Sequence, residues 1–170
     1  MTRRNAAYAL SAIGSPAVDA LIDALGHDQV STRTDAATTL GDIALAATDA
    51  LPALVAASRD PHEDVRKAAV EALGIIGQSK PDVVPALIDA VGDEHVGVRT
   101  AAVFALCRLG PHAAEAVGAL EGVLDDENRY VRADALHALQ RIDTPLAKDT
   151  LIKHLMPARW CPITTPESTF

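Results

Sequence analysis

Aromatic residues make up only 3% of this 170-residue chain, so its interior cannot be built around stacked rings and must come from Ala, Leu, Val and Ile. Small side chains let helices approach closely, which suits thin stacked helix pairs better than one thick core. Cysteine is nearly absent: Cys107 lies in a predicted helix and Cys161 in the C-terminal tail, a pattern that excludes a disulfide framework. Long apolar runs are missing too. Each is broken by charge, so no segment is expected to span a bilayer. Thr2, Arg3 and Arg4 lead into an Ala-rich helix without the sustained apolar stretch of a secretory signal. A reducing, cytoplasmic setting is the expectation. Positive charge is also in deficit, with 15 Lys and Arg against 23 Asp and Glu and a net charge of −8. Such a surface repels phosphate backbones, because non-specific nucleic-acid affinity comes from cations displacing counterions. DNA or RNA is not expected as the main partner.

What the chain does contain is an internal repeat. Arg33, Arg66, Arg99 and Arg132 are spaced 33 residues apart, within the segments DPHEDVRKAAVEALGIIG, DEHVGVRTAAVFALCRLG and DENRYVRADALHALQRID for the last three. Behind each Arg come Ala36, Ala69, Ala102 and Ala135, then Leu40, Leu73, Leu106 and Leu139, then Ile43, Ile76, Leu109 and Ile142. Steps of four and three place these residues on one face of a helix. Arg3, Ala6, Leu10 and Ile13 repeat the pattern 30 residues earlier.

Between these second helices lie first helices in the same register, with columns Val18, Leu51, Val84, Val117 and Leu21, Leu54, Leu87, Leu120. Ser15-Pro16 and Thr144-Pro145 read as N-cap and first helical residue. Pro52 and Pro85 fall in first turns, where a missing N–H costs little. Asp60, Pro61 and Glu63 resemble a capping box, while Gly14, Gly77 and Gly110 are placed to end second helices and Gly26 and Gly92 to end first ones. The expected helices are 2–13, 16–25, 31–45, 49–58, 62–77, 81–91, 95–109, 112–124, 128–142 and 145–155, with no strands. Residues 1–155 form the array and 156–170, MPARWCPITTPESTF, a Pro-containing tail that serves as cap or linker. Because the array opens on a second helix without a partner, a longer parent polypeptide is an open possibility.

Neither the ankyrin nor the tetratricopeptide signature fits this period. The quoted residues instead resemble HEAT repeats of the short bacterial type, also found in phycobilin lyase subunits. That resemblance implies an all-α, right-handed α-solenoid of stacked two-helix repeats. It also implies a ladder between repeats made by a turn Asp and the second-helix Arg, matched here by Asp60 and Arg66, Asp93 and Arg99, and Asp126 and Arg132. In the first turn His27 holds the Asp position, which breaks the pattern there.

Three chemistries known on such scaffolds each require a particular set of residues. The di-iron site of deoxyhypusine hydroxylase needs His-Glu dyads just after the Arg, where this chain has Thr34-Asp35, Lys67-Ala68, Thr100-Ala101 and Ala133-Asp134. His62 and His95 read as solvated turn residues, so no metal and no cofactor is expected. HEAT-like DNA glycosylases need a basic groove with aromatics, which an acidic chain with Trp160 as its one Trp lacks. Phycobilin lyase chemistry remains as an alternative, although Cys107 occupies the small-residue column of Gly41 and Gly74 and reads as packing. No catalytic residue is assigned.

The leading expectation is a protein or peptide partner on the second-helix face. Five residues after the Arg stand Tyr8, Thr38, Glu71, Phe104 and His137; nine after it stand Ala12, Asp42, Ile75, Arg108 and Arg141. These columns vary while the core columns barely do, as expected of a recognition surface. Tyr8, Glu71, Phe104, Arg108, Tyr130, His137 and Arg141 are its candidate contacts, being mainly of types favoured at interface centres. The mixture suits a partner with both an apolar and an acidic group.

Overall fold

A computed structural model describes residues 17–78 and 80–159, so the expected helix over 2–13 lies outside the described residues. Within them the first helices are α1 (Val18–Ala24), α3 (Leu51–Ala57), α5 (Val84–Val91), α7 (Val117–Gly122) and α9 (Pro145–Arg159). The second helices are α2 (Val30–Ile43), α4 (Glu63–Ile76), α6 (Val96–Leu109) and α8 (Arg129–Ile142). Tight 3-10 segments, Ala44–Ala50, Pro81–Val83 and Gly110–Ala116, lead into α3, α5 and α7. They shorten the first helices relative to expectation. No strand occurs among the described residues.

Each second helix packs on its own first helix, consecutive second helices pack on one another, and the substantial contacts all join the same or adjacent repeats. This is the connectivity of a solenoid, whose stability is a sum over neighbouring interfaces. The Ala, Leu and Ile columns of α2, α4, α6 and α8 are all buried, and Leu21, Leu54, Leu87 and Leu120 meet them from the first helices. Leu51 alone in its column is only half-buried. Second helices come close where side chains are smallest: a Cβ on Gly74 would stand 2.5 Å from the Cβ of Ala105.

The ladder is present, with a reach the sequence did not reveal. Arg66 donates through Nη1 to the carbonyls of Asp60 and Pro61 in its own turn, at 3.1 and 3.2 Å. Its Nε and Nη2 then cross to the carboxylate of Asp93 in the next repeat, at 2.7 and 2.9 Å. Arg33 holds Asp60 and Arg99 holds Asp126 in the same two-pronged way. Asp60 and Arg66 are therefore neighbours in one turn, and the ion pairs run forward, Arg to Asp, over 27 residues. His27 does not interrupt this, because Arg33 needs only its carbonyl. Each rung carboxylate also accepts the amide two residues on, His62, His95 or Asn128.

Those amides belong to the true N-caps. His62 Nδ1 accepts from the Asp64 amide and Asn128 Oδ1 from the Tyr130 amide, so Asp60 and Glu63 do not form a capping box. His62 is thus a helix-capping group, whereas His95 stands at the N-cap of α6 without a side-chain cap bond. Thr144 caps α9 as expected, its hydroxyl accepting from the Ala147 amide.

Two further expectations change. The tail does not begin at residue 156, because α9 runs on to Arg159. A proline removes one helical donor, and this helix stops two residues beyond Pro157, so little pairing is lost. Val30–Ala57 is long and apolar enough, by length and composition alone, to cross a bilayer. It is not one rod, however: Ala44 turns the chain at φ 57°, ψ −129°, and Leu40 and Leu54 on either side lie in the core.

Ala44 takes the backbone conformation that Gly110 takes two repeats later, at φ 55°, ψ −127°. A Cβ is disfavoured there, so Ala44→Gly should stabilise the fold by about 1 kcal/mol and Gly110→Ala should destabilise it by at least about as much. Denaturant midpoints read both; a loss for Ala44→Gly would refute the strain. The ladder gives a pH dependence. Burial draws the Asp93 carboxyl upward, but the Arg66 hydrogen bonds, the His95 amide and the Arg66 charge together hold it below its ordinary value near 3.8. Its stabilisation is therefore complete above pH 4 or so and is lost as pH falls through the lowered native value. Asp93→Asn should cost about 1–3 kcal/mol at pH 7, with the difference from the parent chain shrinking as the pH falls below the ordinary carboxyl value near 3.8. An undiminished difference in acid would contradict this assignment.

Candidate partner-binding face

The core consumes positions three, seven and ten after each rung Arg, and positions five and nine fall to solvent. Thr38, Glu71, Phe104 and His137 are exposed, as are Asp42, Arg108 and Arg141, while Ile75 is half-buried. Tyr8 and Ala12 lie outside the described residues. Phe104 and Tyr130 stand out as large side chains left 56% and 59% exposed.

Between α4 and α6 the face dips into a depression of about 300 Å³, lined by Lys67, Glu71, Gly97, Thr100, Ala101 and Phe104. Gly97 makes room for it. A Cβ there would meet the His95 ring at 3.2 Å and the Lys67 stem at 3.6 Å, and one repeat later the same position carries Tyr130. On the opposite wall Lys67 Nζ and Glu71 Oε1 are 3.8 Å apart, an exposed pair one helical turn long. The site thus joins an apolar surface, Phe104 and Ala101, to a rim carrying both signs of charge.

Of the predicted contacts, this depression gathers Glu71 and Phe104. The others continue along the stripe. Arg108 Nε turns back to the carbonyl of Gly74 at 3.3 Å. Tyr130 accepts from Arg129 Nη2 at 2.8 Å, with the guanidinium 4.8 Å from the ring centroid. His137 Nδ1 is 3.9 Å from Cys107 Sγ. Sequence reasoning missed Lys67, Gly97, Thr100 and Ala101. The signal was available: positions one or two after the rung Arg lie one turn from position five, and the position two before it lies two turns away, on the same stripe.

The Cys107–His137 contact does not make an activated nucleophile. Cys107 is buried, and burial pushes its thiol up; Arg141 pulls it down and Asp134 pushes it up again. A thiol held protonated is neither a strong nucleophile nor a metal ligand. No group of three His, Cys, Asp or Glu side chains converges among the described residues.

Residues 30–107 and 84–159 match the family described as HEAT repeats, and residues 2–27 match the PBS lyase HEAT-like repeat. No curated protein sequence matches the chain. Among solved structures, an engineered protein superposes with a TM-score of 0.67 at 21% identity, over 89% of this chain and 78% of its own. The complex of CpcE and CpcF of phycocyanin lyase from Nostoc sp. PCC7120 gives 0.62 at 22% identity, over 84% of this chain and 88% of that one. A second engineered protein gives 0.64 at 23% identity, over 88% of this chain and 46% of its own. At these identities the likeness concerns the fold.

Exposure of the stripe sets its energetics. Phe104→Ala, Arg108→Ala, His137→Ala and Arg141→Ala should each change stability by about 0.5 kcal/mol or less, whereas Leu106→Ala, on the buried face of the same helix as Phe104, should cost about 2–5 kcal/mol. Equal losses at Phe104 and Leu106 in urea titrations would show that the faces are misassigned.

Proposed function

We propose, on the premise that this chain belongs to the HEAT-repeat family, that it is a non-catalytic interaction module binding a protein or peptide on its second-helix face. The observation that carries this reading is the depression beside Phe104. It is an apolar surface left open on a helix whose other face is fully buried, and it is rimmed by Lys67 and Glu71. An exposed aromatic beside a small cavity is the arrangement in which a few side chains supply most of a binding energy. Arg108 and Arg141 follow along the same stripe, so the partner we infer carries an apolar group for Phe104 and an acidic group toward the arginines. A cytoplasmic setting belongs to the same proposal.

A second reading has its own support. The match of residues 2–27 to the PBS lyase HEAT-like repeat, and the likeness to the CpcE and CpcF complex, favour a chromophore-handling subunit. The protonated, buried Cys107 stands against thiol chemistry within that reading.

Affinity purification from the source cell with mass spectrometry identifies the partner, and calorimetry on the four Ala variants then tests the face. One or two of them should weaken binding by about 1 kcal/mol or more while folding normally. Gly97→Tyr, which fills the depression, should weaken it too. Unchanged affinity in all five would remove the site from this face. A visible absorption band in the purified protein, or turnover of a bilin, would favour the second reading over the first.

A further inference from the structure

Charge on the open stripe is graded along the array. Position nine after each Arg is Asp42 on α2, Ile75 on α4, Arg108 on α6 and Arg141 on α8, while position five adds Glu71 on α4 and Phe104 on α6. One turn nearer the helix starts, Asp35 adds to this gradient, and Lys67 and Asp134 oppose it by one charge at each end without reversing it. Stacking does not cover the stripe. Both α4 and α6 have second helices on either side, and Glu71, Phe104 and Arg108 are still exposed.

Folding does not account for the gradient. Arg108 and Arg141 sit in the last turns of α6 and α8, where a cation suits the helix dipole, but Asp42 sits in the last turn of α2, where an anion does not. Nor does pairing hold these side chains. Arg33, Arg59, Arg66 and Arg99 each grip a carboxylate. Among the described residues Asp42, Arg108 and Arg141 have no ion-pair partner. Arg108 keeps only the Gly74 carbonyl, through Nε.

Resting on the interaction-module reading, we propose that this face binds a partner segment in polyproline II conformation whose every third residue, from α2 to α8, is basic, apolar, acidic and acidic. The basic group meets Asp42, the apolar one meets Ile75 and Phe104, and the acidic ones meet Arg108 and Arg141. Spacing selects the conformation. Packed helices lie roughly 8–10 Å apart, and a polyproline II helix returns to the same face every three residues, about 9.3 Å. An α-helix returns after about 5.4 Å and a strand after roughly 6.7 Å, so neither keeps step. Polyproline II also leaves its backbone to water, which suits a face of helices that offers no sheet edge. The chain does not supply this ligand itself. Residues 160–170 contain no Lys or Arg to meet Asp42. Basic, apolar and acidic residues at steps of three occur in the chain, in either direction, only as Asp93, Val96 and Arg99, and rungs hold Asp93 and Arg99.

The test uses the full chain and labelled, capped peptides in fluorescence anisotropy. The probe is Pro-Pro-Lys-Pro-Pro-Leu-Pro-Pro-Glu-Pro-Pro-Glu, made in both chain directions. An all-acidic control has Glu for the Lys, and an all-basic control has Lys for both Glu. In one direction the probe should bind about tenfold or more tightly than either control. Asp42→Lys should move the preference to the all-acidic peptide, and Arg108→Glu with Arg141→Glu to the all-basic one; circular dichroism checks that these exposed substitutions fold. Gly in place of every Pro removes the preformed conformation and should weaken binding about threefold or more. No binding at millimolar concentration, no preference for the probe, preferences unmoved by the variants, or undiminished binding of the Gly peptide overturns the proposal. So does displacement of the probe by a peptide of residues 160–170, which would make the chain's own tail the occupant. Binding without charge preference that Phe104→Ala still weakens would overturn this proposal and leave the interaction-module reading standing. Binding indifferent to Phe104→Ala as well would end both.

Discussion

The guanidiniums of Arg33, Arg66 and Arg99 are each shared between two repeats, and the rest of the architecture depends on that sharing. One nitrogen closes the turn that launches its own helix, and the other two hold the turn of the next. Exposed ion pairs are worth little. These are about one-tenth exposed, two-pronged and supported by backbone amides, which places them among the stronger kind. Burial of the Ala, Leu and Ile columns supplies the bulk of the stabilisation, as apolar area does generally. That burial is non-directional, however. The rung specifies how far and at what angle one repeat follows another, and the small residues at Gly41 and Gly74 then let the helices close to that spacing.

Much of this was legible in the residues themselves. Spacing of Arg, Ala, Leu and Ile showed which helix faces are buried, and Pro145 and Gly110 marked boundaries that the structure keeps. The direction of the ladder was not legible. Asp60 and Arg66 are six residues apart in one turn, and a fixed period cannot say whether Arg66 bonds Asp60 or Asp93, since both recur in step. The His62 cap was missed because His is an uncommon cap, and its role here depends on Nδ1 facing an amide. The 3-10 segments and Ala44 were hidden for another reason. They are set by how far the chain must travel between helices, a tertiary demand that overrides local preference.

The candidate site divides in the same way. Columns five and nine could be assigned to solvent from helix geometry alone, and among the described residues they are solvent-exposed or half-buried. The depression could not be foreseen, because it arises from what Gly97 lacks next to what Lys67 and Phe104 contribute from two helices. Fold requirements say nothing about exposed positions once register is met, so the chemistry of a partner is written only in that freedom. Core and rung are nearly invariant from repeat to repeat, and this is what makes a Tyr, a Glu or a Gly on the open stripe informative.

The forward reach of the rungs also sets a unit of length for genetic change. Because the guanidiniums of Arg33, Arg66 and Arg99 each look 27 residues ahead and the period is 33, removing or duplicating one whole repeat between equivalent points leaves the remaining rungs of this kind with an Arg facing an Asp. A loss of 32 or 34 residues instead rotates every later helix by about 100° relative to the core it must meet. Exchange between misaligned copies of such a gene therefore yields longer and shorter arrays that still fold, and the gene can change the number of its surfaces without first passing through a broken one.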